Sequence, residues 1–241
     1  MWSRTFAIDD PPFAARTGRG VRVAVIDSGV ASGHPHVGQT EPGIRLHEGA
    51  GEDQEAEDRI GHGTAVAAAI REKAPDTGIL PIRVFDLHLS TTAEVLARAI
   101  RLAAGRGCQL INLSLGTTNP ARTMMLEEAV REAIHAGCIV VSPGAQDGIE
   151  WLPGCLDGVI RVALDWTCPR NAFRIREDEG LVAIHASGYP RPIPGVLPHR
   201  NIHGISFATA NTTGMLARWL EGHPDVRRAE DVLRSLETEA E

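Results

Sequence analysis

Three polar side chains occur in this sequence in settings that could support nucleophilic chemistry. Asp27 directly follows the apolar run 21–26, His62 lies between two glycines, and Ser206 precedes a helix-like segment of small residues. An imidazole that is oriented by a carboxylate can take the proton of a hydroxyl group, which then attacks an electrophilic carbon. Each residue alone has a plainer interpretation, as a turn aspartate, a structural histidine or a helix N-cap serine. Their joint occurrence requires a common explanation.

The segments around these residues predict alternating strands and helices. Apolar runs predict buried strands at 21–26, 108–115, 138–141, 159–164 and 181–184. Helices are predicted behind His62, after the capping-box spacing of 91–94, and through 126–134, 212–220 and 224–238. This alternation predicts an α/β fold with a mostly parallel central sheet and helices on both faces. Parallel sheets bind ligands at the carboxyl ends of their strands, where Asp27 is expected to lie.

Length and composition limit the classes of protein. The 241 residues, 43% hydrophobic and 23% charged, predict a single folded domain over 21–241 behind an N-terminal arm at 1–20. A net charge of −7 disfavours a nucleic-acid partner. No apolar run is long enough to span a bilayer, and the first ten residues lack the apolar core of a secretory signal. We therefore expect no membrane partner and a cytoplasmic location.

The cysteines do not follow the spacing of a zinc site, and no cofactor or metal is expected. In a chain without a secretory leader, reduced thiols are the expected state, although the spacing of Cys155 and Cys168 leaves a bridge between them open. The four cysteines are Cys108, Cys138, Cys155 and Cys168.

Four motifs follow one another in the chain. They are Val-Arg-Val-Ala-Val-Ile-Asp-Ser-Gly-Val at 21–30, Gly-His-Gly-Thr at 61–64, Leu-Ile-Asn-Leu-Ser-Leu-Gly at 110–116, and Gly-Ile-Ser-Phe-Ala at 204–208 with Gly214 behind it. In this order they resemble the aspartate, histidine, substrate-cleft and serine motifs of the subtilisin-like serine peptidases. The resemblance covers about residues 17–238, in a compact form without leader or propeptide. It implies a three-layer subtilisin-like fold.

The same resemblance implies catalytic roles. Asp27 would orient His62 and stabilise its imidazolium, and His62 would take the proton of Ser206. Ser206 would attack the scissile carbonyl carbon and form an acyl-enzyme that water resolves. The main-chain N–H of Ser206 would supply one donor of the oxyanion hole.

The resemblance also implies where an extended peptide or protein substrate would bind. One segment would pair with the substrate as an added strand, and it consists of Ser114, Leu115 and Gly116. A second segment would form one wall of the primary specificity pocket, and it consists of Ser142, Pro143 and Gly144.

The second donor of the oxyanion hole departs from the family pattern. Where the family has an asparagine, this chain has Gln146. Glutamine keeps the carboxamide on a longer stem, so we expect Gln146 to complete the oxyanion hole. The alternative is that Gln146 faces solvent and the hole has one donor.

These observations favour a serine endopeptidase that acts on peptides as a narrow-specificity processing protease. Two alternatives stay open: a catalytically impaired protein that binds peptides, and a transpeptidase or macrocyclase that uses the same serine. The acidic run 52–58 is interpreted as a solvated loop, or as a border of the cleft that would favour basic substrate residues. His203, three residues before Ser206, is expected to be a loop or supporting residue.

Overall fold

Strands and helices alternate along residues 2–49, 51–146, 148–178 and 181–239, which the computed structural model describes. The strands are β1 (Trp2–Ala7), β2 (Arg22–Asp27), β3 (Ile44–Leu46), β4 (Glu52–Asp53), β5 (Gly78–Arg83), β6 (Leu110–Leu113), β7 (Ile139–Pro143), β8 (Ala145–Gln146), β9 (Ile149–Glu150), β10 (Val159–Leu164), β11 (Ala172–Asp178) and β12 (Leu181–Ala186). The helices are α1 (His62–Lys73), α2 (Ala93–Gly105), α3 (Thr123–His135), α4 (Ile205–Glu221) and α5 (Ala229–Thr238).

Ten of these strands form one sheet in the order β1-β11-β12-β10-β7-β6-β2-β5-β3-β4. The inner seven strands, β12 to β3, pair in parallel. The antiparallel pairs lie at the two ends of the sheet, where β1 and β12 flank β11 and β4 pairs with β3. The predicted mostly parallel sheet is thereby confirmed.

Both faces of the sheet carry helices. In β2, Val23 and Val25 belong to the apolar cluster that contains α1, α4 and α5, whereas Ala24 and Ile26 belong to the cluster that contains α2 and α3. Successive side chains of a strand point to opposite faces, so this alternation divides the core into two layers. The predicted three-layer α/β fold is confirmed.

Seven of the strands were not predicted, among them the central strand β5 and the lateral strand β11. β5 contains Pro81, a residue that argues against a central strand; β5 pairs with β2 along its length, but with β3 only from Ile82 onward. β11 alternates apolar with charged residues, and Arg174 and Arg176 both pair with the buried Asp165, at 2.6 and 2.8 Å. The contacts of β5 join residues far apart in the chain, and those of Arg174 and Arg176 reach back 9 and 11 residues, so the local pattern does not contain them.

Smaller corrections concern element ends. The last helix begins at Ala229 and not at 224, and α2 is capped by Thr92, whose hydroxyl accepts from the main-chain N–H of Val95. The N-terminal arm contributes β1, which pairs with β11 along all six of its residues. Within the described residues no helix is long and apolar enough to cross a membrane.

The four cysteines are free thiols in the structure, and no bridge joins Cys155 to Cys168. Burial raises the pKa of Cys108 to about 12 and that of Cys138 to about 11. These two thiols are therefore protonated parts of the core.

Candidate active site

Asp27 and His62 meet at the carboxyl edge of the parallel sheet. Asp27 ends β2 and is fully buried, and His62 begins α1. The Nδ1 atom of His62 lies 2.7 Å from Oδ1 of Asp27, which also accepts the main-chain N–H of Ser28 at 2.7 Å. The other carboxylate oxygen, Oδ2, is buried without a hydrogen-bond partner among the described residues.

Gly63 allows this close approach. A Cβ atom at position 63 would lie 3.1 Å from Cβ of Asp27 and would overlap the main-chain oxygen of Gly29. The glycine after His62 therefore lets the start of α1 rest directly on the end of β2. This steric requirement explains the glycine on the C-terminal side of His62.

Asp58 organises the segment that leads into α1. Its Oδ1 accepts from the N–H groups of Ile60 and Gly61 and from the hydroxyl of Ser28, at 2.8 to 2.9 Å. Its Oδ2 accepts from the N–H and the hydroxyl of Thr64, at 2.8 and 2.6 Å. Burial raises the pKa of Asp58, but these hydrogen bonds outweigh it and the net pKa lies below 3.8. Asp58 is thus an anion that stabilises the N-terminal turn of α1.

The charge around His62 sets its protonation. Burial lowers the pKa of the imidazole, while the hydrogen bond and charge of Asp27 and the charge of Asp58 raise it, and the net pKa lies above 6.5. A neutral imidazole oriented through Nδ1 can act as a general base through Nε2.

Ser206 lies in the first turn of α4, next to Phe207, whose ring centroid is 5.7 Å from that of His62. Gly204, the residue before the helix, has φ 149° and ψ −173°, a conformation that only glycine adopts without strain. The N–H groups of a first helical turn have no intrahelical acceptor. The N–H of Ser206 is therefore available to a developing anion.

α1 and α4 pack closely behind these residues. A Cβ atom on Gly214 would lie 2.7 Å from Cβ of Lys73 and 2.9 Å from the main-chain oxygen of Ile70. The glycine predicted as part of the serine motif therefore forms the contact between the helix that begins at His62 and the helix that carries Ser206.

Asn112 was not singled out in the sequence, although it is a polar residue within an apolar strand. It is fully buried in β6; its Nδ2 donates to the hydroxyl of Ser114 and its Oδ1 accepts from the hydroxyl of Thr213, each at 2.9 Å. Since Thr213 belongs to α4, Asn112 joins the helix of Ser206 to the strand that leads to Ser114.

Of the predicted substrate residues, Ser114 is hydrogen-bonded to Ser206, and the binding roles of all of them stay predictions. The hydroxyl of Ser206 donates to the main-chain oxygen of Ser114 at 3.1 Å, and among the described residues this bond takes the place of one to His62. Leu115 and Gly116 line a cleft of about 470 Å³ together with Phe85, residues 89–94 and Leu96. Ser142–Gly144 lies at the end of β7, next to β6 in the sheet.

Gln146 belongs to the short strand β8, which pairs with β9. Its side chain lies outside the described part of the structure, so its role in the oxyanion hole stays a prediction. Asp147, which follows it, is likewise outside that part.

Much of the acidic run 52–58 is paired within the chain. Asp53 bonds to His47 at 2.7 Å, Glu55 pairs with Arg59, and Asp58 caps α1 as described. The interpretation as a solvated loop is therefore wrong for Asp58. Internal partners also reduce the negative charge that this run could offer to basic substrate residues.

His203 is an exposed loop residue, as expected. Its Nδ1 atom lies 2.8 Å from the main-chain oxygen of Asn201, and its ring packs against Trp166 and Tyr189 with centroids 5.6 and 6.0 Å away. Among the described residues, no group of three or more His, Cys, Asp or Glu side chains is placed to hold a metal ion.

An aspartate, a histidine and a serine gathered at this edge of a parallel sheet are the residue set of a serine hydrolase. Residues 18–147 match the model of the Subtilase family. Thermitase from Thermoactinomyces vulgaris is 33% identical over 229 residues, which cover 88% of this chain and 80% of that protein. The chain belongs to the subtilase family of serine proteases.

Other relatives differ in length. The alkaline protease of Alkalihalobacillus alcalophilus is 27% identical over 221 residues, or 86% of this chain, but this chain spans only 53% of that protein. Among solved structures, a lanthipeptide protease superimposes with a TM-score of 0.66 at 20% identity, covering 90% of this chain and 79% of that one. At this identity the superposition shows the shared fold.

Proposed function

We propose that this protein is a serine endopeptidase in which Ser206 attacks the carbonyl carbon of a peptide bond. The observation that carries the proposal is the 2.7 Å pair of Asp27 and His62, set beside Ser206 at the start of a buried helix. Family membership supports the same chemistry.

The reaction proceeds in two halves. His62 takes the hydroxyl proton of Ser206 as the Ser206 oxygen bonds to the carbonyl carbon, and the N–H of Ser206 stabilises the resulting oxyanion. His62 then gives the proton to the leaving amine, which breaks the peptide bond and leaves an acyl-enzyme. Water, deprotonated by His62, releases the acid and restores the Ser206 hydroxyl.

We further propose an extended peptide substrate, a narrow processing specificity and a cytoplasmic location. The cleft beside Leu115 and Gly116 supports a strand-like substrate. The printed name of one protein of the same fold, a lanthipeptide protease, motivates the processing role. Four free cysteines support a reducing compartment.

A fluorophosphonate probe tests the catalytic proposal, because it forms a bond only with an activated serine. We expect the wild-type protein to be labelled and Ser206→Ala to remain unlabelled, with Ser235→Ala as a matched control that labels normally. A separate sample of unlabelled wild-type protein is incubated with peptide mixtures to look for internal cleavage, and cell fractionation locates the protein.

A second candidate is a peptide-binding protein with a dormant serine. The observation in its favour is the hydrogen bond of Ser206 to Ser114, which directs the hydroxyl to a main-chain oxygen. Folded wild-type protein that binds peptides but does not react with the probe would establish this function in place of the first.

A further inference from the structure

The main chains that follow β6 and β7 leave a gap beside Ser206. The two strands pair as far as Asn112 and Val141, and beyond this pair the chain continues as 114–116 on one side and 142–144 on the other. Because the Ser206 hydroxyl lies 3.1 Å from the oxygen of Ser114, a residue attacked by Ser206 must lie at the mouth of this gap.

Residues 151–152 form main-chain hydrogen bonds across the gap. The N–H of Trp151 donates to the oxygen of Gly144 at 3.0 Å, and the main chains of Leu152 and Thr117 exchange two hydrogen bonds of 2.9 Å. Residues 151–152 are therefore bonded to both sides at once.

The indole of Trp151 packs against Gly116, on one side of the gap. A Cβ atom on Gly116 would lie 3.3 Å from Cε3 of Trp151 and 2.5 Å from the oxygen of Leu152. On the opposite side, the side chain of Arg161 fills the space where a Cβ atom on Gly144 would lie. Large side chains thus lie against both glycines.

We propose that Trp151 determines the substrate residue immediately before the scissile bond, restricting it to a small side chain: glycine, alanine or serine. This inference rests on the proposed peptidase function and specifies its substrate. A larger side chain would have to displace the half-buried indole and lose its packing, whereas a glycine or alanine fits above it. One methylene group more or less in an apolar pocket changes kcat/KM by roughly 10–200-fold.

Arg161 does not favour an acidic residue at the same position. Its guanidinium pairs with Glu150 at 3.3 Å and donates to the oxygen of Cys155 at 3.3 Å, and its side chain is only 14% exposed. The cation is therefore satisfied within the chain.

The test is a cleavage profile on a proteome-derived peptide library read by mass spectrometry. We expect the wild type to cleave after glycine, alanine or serine. In Trp151→Ala the ratio of cleavage after leucine, methionine or phenylalanine to cleavage after glycine should rise at least about tenfold. Trp151→Leu should give an intermediate ratio, and it replaces the alanine variant if thermal melting shows that the latter does not fold.

Trp166→Ala is the matched control, because Trp166 is a half-exposed tryptophan that contacts Tyr189 and His203 and neither wall. It should keep the wild-type ratio. Wild-type cleavage after large or acidic residues overturns the inference. It is also overturned by an unchanged profile in folded Trp151 variants that react with the probe in a separate sample. Failure of the wild type both to label and to cleave removes the peptidase function itself, and the inference with it.

Discussion

Ser206 and Ser114 are hydrogen-bonded in both directions. The hydroxyl of Ser206 donates to the main-chain oxygen of Ser114 at 3.1 Å, and the hydroxyl of Ser114 donates to the main-chain oxygen of Ser206 at 3.4 Å. A peptide that adds a strand to Ser114–Gly116 uses main-chain acceptors of this segment. Pairing with a substrate therefore competes for the bond that holds the Ser206 hydroxyl, and frees this hydroxyl to turn toward His62.

Substrate pairing should accordingly accelerate the reaction of Ser206. We expect a peptidyl phosphonate to inactivate the protein about tenfold faster than the same compound N-methylated at the amide that faces Ser114, because methylation removes one hydrogen bond. Second-order inactivation rates measure the effect. N-methylation at the next amide along the peptide is the control, and equal rates for all three compounds would exclude the competition.

Asp27→Asn should lower turnover about 10⁴-fold, the loss known for the corresponding change in another triad protease. An amide in place of the carboxylate favours the wrong tautomer of His62 and removes the charge that stabilises imidazolium. The initial rate of peptide cleavage is the measurement, and substitution of the exposed Asp225 by asparagine is the control. A loss below tenfold would show that the pair with His62 is structural.

The activity should rise with pH through the pKa of His62, because only the neutral imidazole can accept a proton. That pKa lies above 6.5, partly through the charge of Asp58. Asp58→Asn removes this charge, so we expect the ascending limb of kcat/KM to move to lower pH, with about a tenfold loss at the plateau from the weakened α1 turn. Glu55→Gln, in the same acidic run, should leave the limb in place; a common shift in both variants would contradict a specific role of Asp58.

Gln146→Ala tests the second oxyanion donor. If the carboxamide contributes, turnover should fall by up to about 10²–10³-fold, the range measured for the donor in subtilisin itself, with little change in KM. Gln146→Asn should retain or increase turnover. Gln54→Ala, at an exposed position, serves as control. Wild-type turnover in Gln146→Ala would mean that the N–H of Ser206 acts without this side chain.

Lys73→Met should stabilise the protein by ~1–3 kcal/mol near neutral pH. Lys73 is 3% exposed and pairs with Glu72 at 2.5 Å, and burial, with the nearby Arg170 charge, lowers its pKa from 10.5 to about 8. Between these two values the unfolded chain holds a proton that the folded protein has lost, so the free energy of unfolding of the wild type should rise with pH.

The methionine variant should lack that rise, while Glu72 keeps its partner Arg170. Urea unfolding at pH 7 and pH 10 measures both effects, with Arg131→Met as a surface control. A variant less stable than the wild type at pH 7 would show that the ion pair outweighs the cost of burying the charge.

The triad residues and the inner strands could be predicted because each has a local sequence motif. Asp27, His62 and Ser206 each occur with flanking glycines or small residues, because close packing at each position is a local requirement. Apolar runs likewise identified β2, β6, β7, β10 and β12. In β2, β6 and β7 burial on both faces leaves a continuous apolar signal.

Features that depend on distant partners could not be predicted in this way. Asp58 lies in a run with the composition of a surface loop. Only its contacts with Ser28 and Thr64 distinguish it from the other acidic residues of that run. The proposed role of Trp151 depends on Gly116 and Gly144, which are distant along the chain but both lie against residues 151–152. The side chain of Gln146 lies outside the described structure, so its prediction is neither supported nor contradicted.

The contact at Gly214 is a pivot point for any tilt of α4 relative to α1. It lies eight residues along α4 from Ser206 and meets α1 at Ile70, eight residues from His62, so each arm is about 12 Å long at 1.5 Å per residue. A relative tilt of about 5° at the pivot displaces the two helix starts by about 1 Å over such an arm. Displacements of that size can change rates by about 10²-fold. A substitution that widens this buried crossing should therefore lower the reactivity of Ser206 from a distance.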